Sequence, residues 1–371
     1  MKILIFNWQD ISNPLAGGAE VHLHEVFSRI ANMGHDVTLF CSMYEGAKHE
    51  EEMNGIHVIR EGSRSFFNYL VPQKYFSTFR HQHFDLIVDD MNKIPFYTPL
   101  YVKEPLLGVT HHLFGTSIFK EVNFPAASYV YLTERAALPM YKRLHCIVGS
   151  PSTHRELLHR GFAEEKTHLI HYGVAREQFK QLNIPKNLTP LIGCLGRLKK
   201  YKSVDHLLEA FVIVRDEIPE TQLLIVGDGD DKPRLQQLAE SLGIARAVSF
   251  TGFVSEEEKV KHLNRIHIAV NTSAKEGWGL TVIEANACGT PTVSSNVEGL
   301  RDAVLDGETG LLYEYGDREQ LAEKILLLLR DERLRERLTA NALQRAKEFD
   351  WNIAAKKTMR VIEKVLSEKK M

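Results

Sequence analysis

Residues 2–41 decide the fold, and they read KILIFNWQDISNPLAGGAEVHLHEVFSRIANMGHDVTLFC. The apolar run at 2–6 predicts a strand, and the amphipathic stretch from about Gly18 to Met33 predicts a helix that Gly34 closes. A second apolar run at 36–41 predicts the next strand. This order is a βαβ unit, whose two strands lie parallel in one sheet.

The same alternation of short apolar runs and amphipathic stretches continues to the end of the chain. Further strands are predicted at 56–59, 84–88, 105–110, 146–148, 167–170, 191–195, 222–226, 247–250, 267–271 and 292–294. The pattern predicts an α/β protein with two parallel sheets, each with crossover helices. Between the two sets of strands, residues 180–190 lose periodicity and contain two prolines, which predicts a linker.

The predicted organisation is therefore a first Rossmann-like domain at 1–180 and a second at 190–350. A final helix at 351–371 is long enough to cross back to the first domain. The length of 371 residues fits two domains.

The composition is that of an ordinary globular protein. The net charge is -2, so nothing in it favours nucleic acid as a partner. The four cysteines have no paired spacing and lie in or beside apolar segments, which predicts buried, reduced thiols in a cytoplasmic protein. No apolar stretch approaches the roughly 20 residues that span a bilayer, so any membrane contact is expected to be peripheral.

Two glycine turns precede predicted helices. Gly17 and Gly18 lie where unpaired N–H groups and the helix dipole attract a phosphate, although a plain turn explains them equally well. The turn at Gly227 follows the strand at 222–226, and it is either structural or a ligand contact.

Two cations follow the first strand of the second domain. Arg197 and Lys202 come just after the carboxyl end of the strand at 191–195, the edge of an open α/β sheet where ligands bind. They could neutralise a diphosphate without a metal, or they could belong to a solvated basic loop.

The strongest constellation is the stretch 276–285, in which two carboxylates, Glu276 and Glu284, enclose a glycine-rich loop and a helix start. Carboxylates accept hydrogen bonds from sugar and ribose hydroxyls, and backbone N–H groups at the helix start bind phosphate or sugar oxygens. The donor-binding residues predicted in this stretch are Glu276, Gly277, Trp278, Gly279, Leu280, Thr281 and Glu284.

His111 follows an apolar strand of the first domain and is either catalytic or a structural histidine. The adjacent His112 would face the opposite side of a strand, so the two form no metal pair, and no metal site or cofactor is predicted. The aromatic segment 66–76 is interpreted as a partly buried helix and loop, with an acceptor groove or a membrane contact as alternatives.

Together these residues resemble the retaining glycosyltransferases of family 4, which have the GT-B fold of two facing Rossmann-like domains with a cleft between them. The resemblance covers essentially the whole chain. It is carried by the stretches 17–20, 34–37, 111–113, 196–198, 227–229, 276–284, 289–291 and 298–300, with Ser150 and Lys202.

The resemblance implies a role for each site residue. Arg197 and Lys202 correspond to the diphosphate clamp, Glu276 to the residue that holds the hydroxyls of the transferred sugar, and Glu284 to the ribose ligand. His111 corresponds to the active-site histidine. Three features depart from the family pattern: Trp278 stands in place of phenylalanine, the stretch from Tyr172 to Ala175 lacks the customary asparagine and aspartate, and Ser203 stands in place of glycine.

The predicted function is transfer of a sugar from a nucleotide diphosphate sugar, UDP- or GDP-linked, to a saccharide or lipid-linked acceptor. The resemblance implies a metal-independent reaction that retains the anomeric configuration and forms an α-glycosidic bond. Two alternatives keep the nucleotide-sugar site: an epimerase or hydrolase of the same fold, and a non-catalytic binding protein.

Overall fold

The computed structural model describes residues 1–91, 94–120 and 122–370. The chain divides into two compact units, which we call unit 1 (Met1–Gly173 with Trp351–Met371) and unit 2 (Val174–Asp350). The final helix therefore belongs to unit 1, as the sequence predicts.

The division between the units comes earlier than the predicted linker at 180–190, which lies inside unit 2. The side chain of Asn264 fixes this segment: its amide donates to the carbonyl of Lys180 (3.1 Å) and its oxygen accepts from the N–H of Leu182 (2.8 Å). Loss of periodicity at 180–190 thus marks an irregular stretch that is attached to unit 2.

Unit 1 is built on one sheet. Its strands are β1 (Lys2–Phe6), β2 (Asp36–Ser42), β3 (Glu50–Met53), β4 (Ile56–Glu61), β5 (Leu86–Asp90), β6 (Leu106–Thr110), β7 (His145–Val148) and β8 (Thr167–Leu169). Within the described residues the strand order is β3-β4-β2-β1-β5-β6-β7-β8, and only β3 is antiparallel to its neighbour. Its helices are α1 (Gly18–Asn32), α2 (Phe67–Ser77), α3 (Phe124–Tyr141), α4 (Pro151–His159) and α12 (Trp351–Lys370).

Unit 2 repeats the architecture with a smaller sheet. Its strands are β9 (Leu191–Leu195), β10 (Gln222–Val226), β11 (Val248–Gly252), β12 (Ile268–Asn271), β13 (Thr292–Ser295) and β14 (Gly310–Tyr313). They lie parallel in the order β11-β10-β9-β12-β13-β14. Its helices are α5 (Val204–Glu217), α6 (Lys232–Ser241), α7 (Glu256–Arg265), α8 (Leu280–Ala287), α9 (Leu300–Ala303), α10 (Arg318–Arg330) and α11 (Glu332–Ala346).

Each sheet has a point where the strand order reverses, between β1 and β5 in unit 1 and between β9 and β12 in unit 2. Loops that leave the carboxyl ends of two such strands diverge to opposite sides of the sheet and leave a crevice, which is where open α/β sheets bind ligands. The loop with Arg197 follows β9, and the loop with Glu276 follows β12. The topology therefore places both predicted loops at the crevice of unit 2.

Several elements differ from the sequence-based prediction, which does not include β3, β14 or α3. The strand predicted at 84–88 is β5, two residues later, so that Asp89 and Asp90 are buried at its carboxyl end. The segment 66–76 is the partly buried helix α2, as interpreted from the sequence. All four cysteines are buried and free, as predicted. Among the described helices, none is both long and apolar enough to cross a membrane.

Candidate functional site

Lys202 and Glu276 form an ion pair at the carboxyl edge of the sheet in unit 2. Both side chains are largely buried, and the hydroxyl of Ser273 also donates to the Glu276 carboxylate (2.8 Å). Burial alone would raise the pKa of Glu276, but the Lys202 ammonium and the Ser273 hydroxyl hold it below its ordinary value. Burial likewise opposes the charge of Lys202, yet Glu276 raises its pKa. Both groups are therefore charged at neutral pH.

Arg197 lies five residues before Lys202 and has an exposed side chain. Its guanidinium is 3.4 Å from the hydroxyl of Tyr201, and the Lys202 ammonium lies 5.1 Å from the centre of the same Tyr201 ring. The two predicted clamp residues thus flank one tyrosine. Arg197 is exposed, and Lys202 is paired with Glu276.

The Gly227 turn packs against the backbone of the Arg197 loop. Gly227 has φ +134°, and a Cβ atom there would lie 2.0 Å from the carbonyl oxygen of Gly196. The N–H of Leu198 donates to the carbonyl of Asp228 (2.8 Å), which ties the two loops together. Gly227 therefore has a structural reason to be glycine, and a contact with a donor stays a prediction.

The Glu276 loop is supported in the same way by the loop before α9. A Cβ atom on Gly299 would lie 2.2 Å from the carbonyl oxygen of Glu276. Gly279 has φ +76° and precedes the first residue of α8, Leu280. In that first turn the hydroxyl of Thr281 is 3.3 Å from the side-chain amide of Asn271, at the end of β12. The loop from Glu276 through Gly277 to Gly279 is thus fixed at both ends.

Trp278 is the exception in this loop, because its side chain is buried. The indole packs edge-on against Phe349 with ring centres 5.2 Å apart. Trp278 stands where the resemblance leads us to expect a phenylalanine, so this difference alters the packing behind the loop. The predicted contact between the Trp278 side chain and the donor therefore has no exposed ring to support it.

Glu284 lies in the second turn of α8 and is buried. Its carboxylate pairs with the ammonium of Lys259 in α7 (2.8 Å), and that ammonium also lies over the ring of Phe179. Burial raises the pKa of Glu284, and Lys259 opposes this. A buried carboxylate needs a partner, but the sequence did not reveal that Lys259 is the partner. Each predicted glutamate is therefore paired with its own lysine.

In unit 1, His111 follows β6 and is buried between two hydrogen-bonding partners. Its Nε2 is 2.9 Å from a carboxylate oxygen of Asp90, at the end of β5. Its Nδ1 is hydrogen-bonded to the hydroxyl of Tyr172. The ring of Tyr172 stacks on His22 of α1, with centres 4.4 Å apart. A sugar hydroxyl that binds the His111 ring would have to replace one of these partners.

The three residues around His111 were not predicted from the sequence. Asp90 precedes His111 by 21 positions and Tyr172 follows it by 61. Tyr172 was noted only as a departure from the family pattern. Its ring fits because Gly149 has no side chain: a Cβ atom there would lie 2.3 Å from a ring carbon.

The loop before α1 is partly occupied by a carboxylate of its own. The N–H of Gly17 donates to Glu20 (2.7 Å), whose other oxygen accepts from Gln9 (3.0 Å). Gly18 is the first residue of α1 and has open space where a Cβ atom would lie. A phosphate at this loop would compete with Glu20 for the Gly17 donor, so the predicted contact at Gly18 is the less obstructed one.

Two family models match this chain almost end to end. The model described as Glycosyltransferase Family 4 matches residues 16–178, and the model described as Glycosyl transferases group 1 matches residues 174–345. The chain belongs to glycosyltransferase family 4.

Curated relatives agree with this assignment. The phosphatidyl-myo-inositol mannosyltransferase of Mycobacterium leprae is 34% identical over 174 residues, which is 46% of this chain and 46% of that protein. The chain spans about half the length of the curated relatives it matches first (46%).

Two solved structures share the fold over nearly their whole length. Sucrose-phosphate synthase from Thermosynechococcus elongatus has a TM-score of 0.82 at 23% identity, covering 99% of both chains. The Anabaena protein Alr3699/HepE in complex with UDP-glucose has a TM-score of 0.78 at 21% identity, covering 99% of this chain and 100% of the other. The fold is GT-B, as the resemblance implies.

Ser203, the third departure from the family 4 pattern, has a backbone conformation that is unfavourable for a residue other than glycine. Ser203 has φ +49°, in the left-handed region that glycine adopts most readily. Its hydroxyl is 2.9 Å from the hydroxyl of Tyr315. The chain thus keeps the backbone shape of a glycine position and adds a hydrogen bond to Tyr315.

Proposed function

We propose that this family 4 chain is a retaining glycosyltransferase that uses a nucleotide diphosphate sugar, UDP- or GDP-linked, without a metal ion. The observation that carries the proposal is the Lys202–Glu276 pair beside the exposed Arg197 at the sheet's switch point. It offers cations for a diphosphate and a carboxylate for sugar hydroxyls within one crevice. The acceptor is a saccharide or a lipid-linked molecule, and the enzyme works in the cytoplasm, either free or at the surface of a membrane.

The proposed reaction breaks the bond between the anomeric carbon and the β-phosphate oxygen. The acceptor hydroxyl attacks from the face that the diphosphate leaves, its proton passes to the departing diphosphate, and an α-glycosidic bond forms. Arg197 and Lys202 stabilise the charge that develops on the leaving group. Glu276 holds the sugar hydroxyls, and Glu284 holds the ribose hydroxyls.

Lys202 supports a metal-independent reaction because it delivers a positive charge to the crevice from within the fold. Asp228 and Asp230, the nearby carboxylates on the Gly227 turn, are each paired with a lysine: Asp228 with Lys232 (3.0 Å) and Asp230 with Lys199 (2.8 Å). The negative charge of each aspartate is therefore compensated by its lysine. We expect activity to survive an excess of chelator.

The deciding experiment pairs binding with product analysis. Thermal shifts with UDP, GDP and ADP sugars identify the donor, because a ligand that binds only the native state raises the melting temperature. Mass spectrometry with saccharide and lipid acceptors then detects transfer, and NMR of the product reports the anomeric configuration. Product without acceptor would indicate hydrolysis, an isomerised donor would indicate an epimerase, and binding without any product would indicate a non-catalytic protein.

Arg197→Ala tests the clamp directly. We expect the turnover rate to fall by about 100-fold or more, as when one donor to a developing oxyanion is removed. Lys200→Ala is the matched control, because Lys200 is an exposed cation in the same loop. Equal activity of the two variants would contradict the role of Arg197.

A further inference from the structure

Helix α3 exposes an apolar stripe to solvent. Exposed apolar residues recur along it at intervals of three or four, at Pro125, Tyr129, Leu132, Ala136 and Pro139. The only acid in the helix, Glu134, is buried, and its two oxygens accept the N–H groups of Phe114 (2.7 Å) and Gly115 (3.0 Å). A surface helix normally places polar residues on its solvent side, whereas α3 exposes apolar residues there and buries its acid.

Helix α2 continues the same surface. Phe66 and Tyr69 are 68% and 60% exposed, and Phe76 is exposed on the same side of the helix. The hydroxyls of Tyr69 and Tyr129 are 2.8 Å apart, which joins the stripe of α2 to that of α3. We call this surface the aromatic face; it comprises Phe66, Tyr69, Phe76, Phe124, Tyr129 and Leu132.

The exposed charges on residues 64–80 and on α3 are all positive. Arg64 and Arg135 are exposed at the edges of the aromatic face, and the guanidinium of Arg80 lies 5.8 Å from the centre of the Phe76 ring. Residues 64–80 contain no acid, and the one acid of α3 is the buried Glu134. Aromatic rings flanked by arginines suit the boundary between the acyl chains and the headgroups of an anionic bilayer.

We infer that the aromatic face docks unit 1 onto the surface of an anionic lipid bilayer. A second copy of the chain fits less well, because a two-fold interface brings the same patch together. Arg64 and Arg135 would then meet the same residues of the other copy with no acid from these segments between them. A bilayer with anionic headgroups supplies the missing negative charge along the whole face.

Docking would also affect the substrate, and this step rests on the proposed function. Glu134 ties α3 to the backbone at residues 114–115, which follow His111 in the chain. An acceptor anchored in the bilayer would then present its head group beside the loop that begins at His111. The inferred acceptor class is a membrane lipid that carries a hydroxylated head group.

Flotation with vesicles tests the docking surface on the full chain. We compare vesicles of phosphatidylcholine with vesicles that also contain phosphatidylglycerol. The test variant is Phe124→Ser with Leu132→Ser, at side chains that are 75% and 62% exposed. The control is Phe253→Ser with Leu188→Ser, which removes the same two side-chain types from fully or nearly fully exposed positions in unit 2.

The expected result is binding to the phosphatidylglycerol vesicles that falls by about tenfold or more in the test variant and is unchanged in the control. Arg64→Gln with Arg135→Gln should weaken binding, as should high salt. Equal binding of the test and control variants would overturn the inference, as would failure of the wild-type chain to bind either kind of vesicle. If the wild-type and control chains are dimers and the test variant is a monomer, the face is assigned to contact with a second copy.

Nucleotide-sugar binding, measured on the same variants, separates this inference from the proposed function. We expect all of them to bind the donor like the wild-type chain, because none of the predicted donor-binding residues, in unit 1 or in unit 2, belongs to the aromatic face. Loss of vesicle binding with donor binding intact therefore supports the docking surface alone.

Discussion

At the scale of single residues, Lys202 and Glu276 neutralise each other's charge. Removing one partner of a buried ion pair leaves an uncompensated charge, which typically costs 3–5 kcal/mol, whereas removing both costs much less. In the proposed function, an incoming donor replaces both partners, with its diphosphate contacting the lysine and its sugar hydroxyls contacting the glutamate. The pair therefore keeps the site charged and ordered in the absence of substrate.

We expect a second substitution to restore the stability of a Lys202 variant but not its activity. Lys202→Met should lower the free energy of unfolding by about 3–5 kcal/mol, because Glu276 loses its cation. Adding Glu276→Gln should restore most of that stability without restoring activity, since both donor contacts are gone. Urea unfolding and donor turnover measure the two effects. A double variant no more stable than Lys202→Met would show that the charges do not depend on each other.

His22 differs from its neighbour His111, because neither of its ring nitrogens has a hydrogen-bond partner among the described residues. Burial, and then the proximity of His111, holds the pKa of His22 well below its ordinary value. The folded protein thus keeps His22 neutral, while the unfolded chain takes up a proton below about pH 6.5. Stability should therefore fall as the pH drops from 7 to 5.

His22→Phe should remove this contribution while keeping a ring stacked on Tyr172. Between pH 7 and pH 5 we expect the wild-type chain to lose about 2 kcal/mol more of its unfolding free energy than the variant does. Denaturant titrations at both pH values measure the difference. Parallel pH profiles would mean that His22 becomes protonated in the folded state.

At the scale of elements, the sequence predicts best where apolar periodicity is strong. The strands around each switch point are short, buried and β-branched, and they are found as predicted within a few residues. Two of the missed elements, β3 and α3, lack that pattern, whereas the missed strand β14 is a short apolar run like the predicted strands. Strand β3 is a mostly acidic edge strand with no buried residue, and α3 is apolar on both faces, so neither shows an amphipathic period.

Prediction of the candidate site from the sequence is also limited, because local spacing reveals only residues that are close together in the chain. Glu276 and Glu284 were found because their spacing within one stretch is local. Lys259 and the partners of His111 come from other elements, and only the packing of those elements brings them together. The sequence shows the glycines at 227 and 299, but it does not show why they are glycine. The structure shows that a second stretch of backbone approaches each of them closely.

Gly299→Ala tests whether that close approach fixes the Glu276 loop. The added Cβ atom would lie 2.2 Å from the Glu276 carbonyl oxygen, so the loop must move. Misplacement of a binding loop by about 1 Å can cost about 100-fold in rate, and we expect donor turnover to fall by that order. Gly307→Ala is the control, because Gly307 also has a positive φ (+71°) but open space around it. If both variants lose activity equally, backbone strain rather than the contact with Glu276 is responsible.

At the scale of the whole molecule, the two units differ in how the chain builds them. Unit 2 is one continuous segment with its own apolar core between sheet and helices. Unit 1 is discontinuous, because α12 packs against α1 after the chain has passed through unit 2. The buried residues of α12 include Trp351, Met359, Val361, Ile362 and Val365. Arg29 of α1 also donates to the side chain of Asn352 (3.1 Å).

The segment 174–350 alone should therefore fold and bind the nucleotide, whereas a chain cut after Asp350 should lose unit 1. Burial of a large apolar side chain contributes about 1.5–3 kcal/mol, so five of them contribute on the order of 10 kcal/mol, which is comparable to the stability of a whole domain. Calorimetry of the cut chain should show one unfolding transition, with the melting temperature of the 174–350 segment, and that transition should still shift with the donor nucleotide. A second cooperative transition in the cut chain would mean that residues 1–173 fold without α12, and the apolar face of α1 would then need another explanation for its burial.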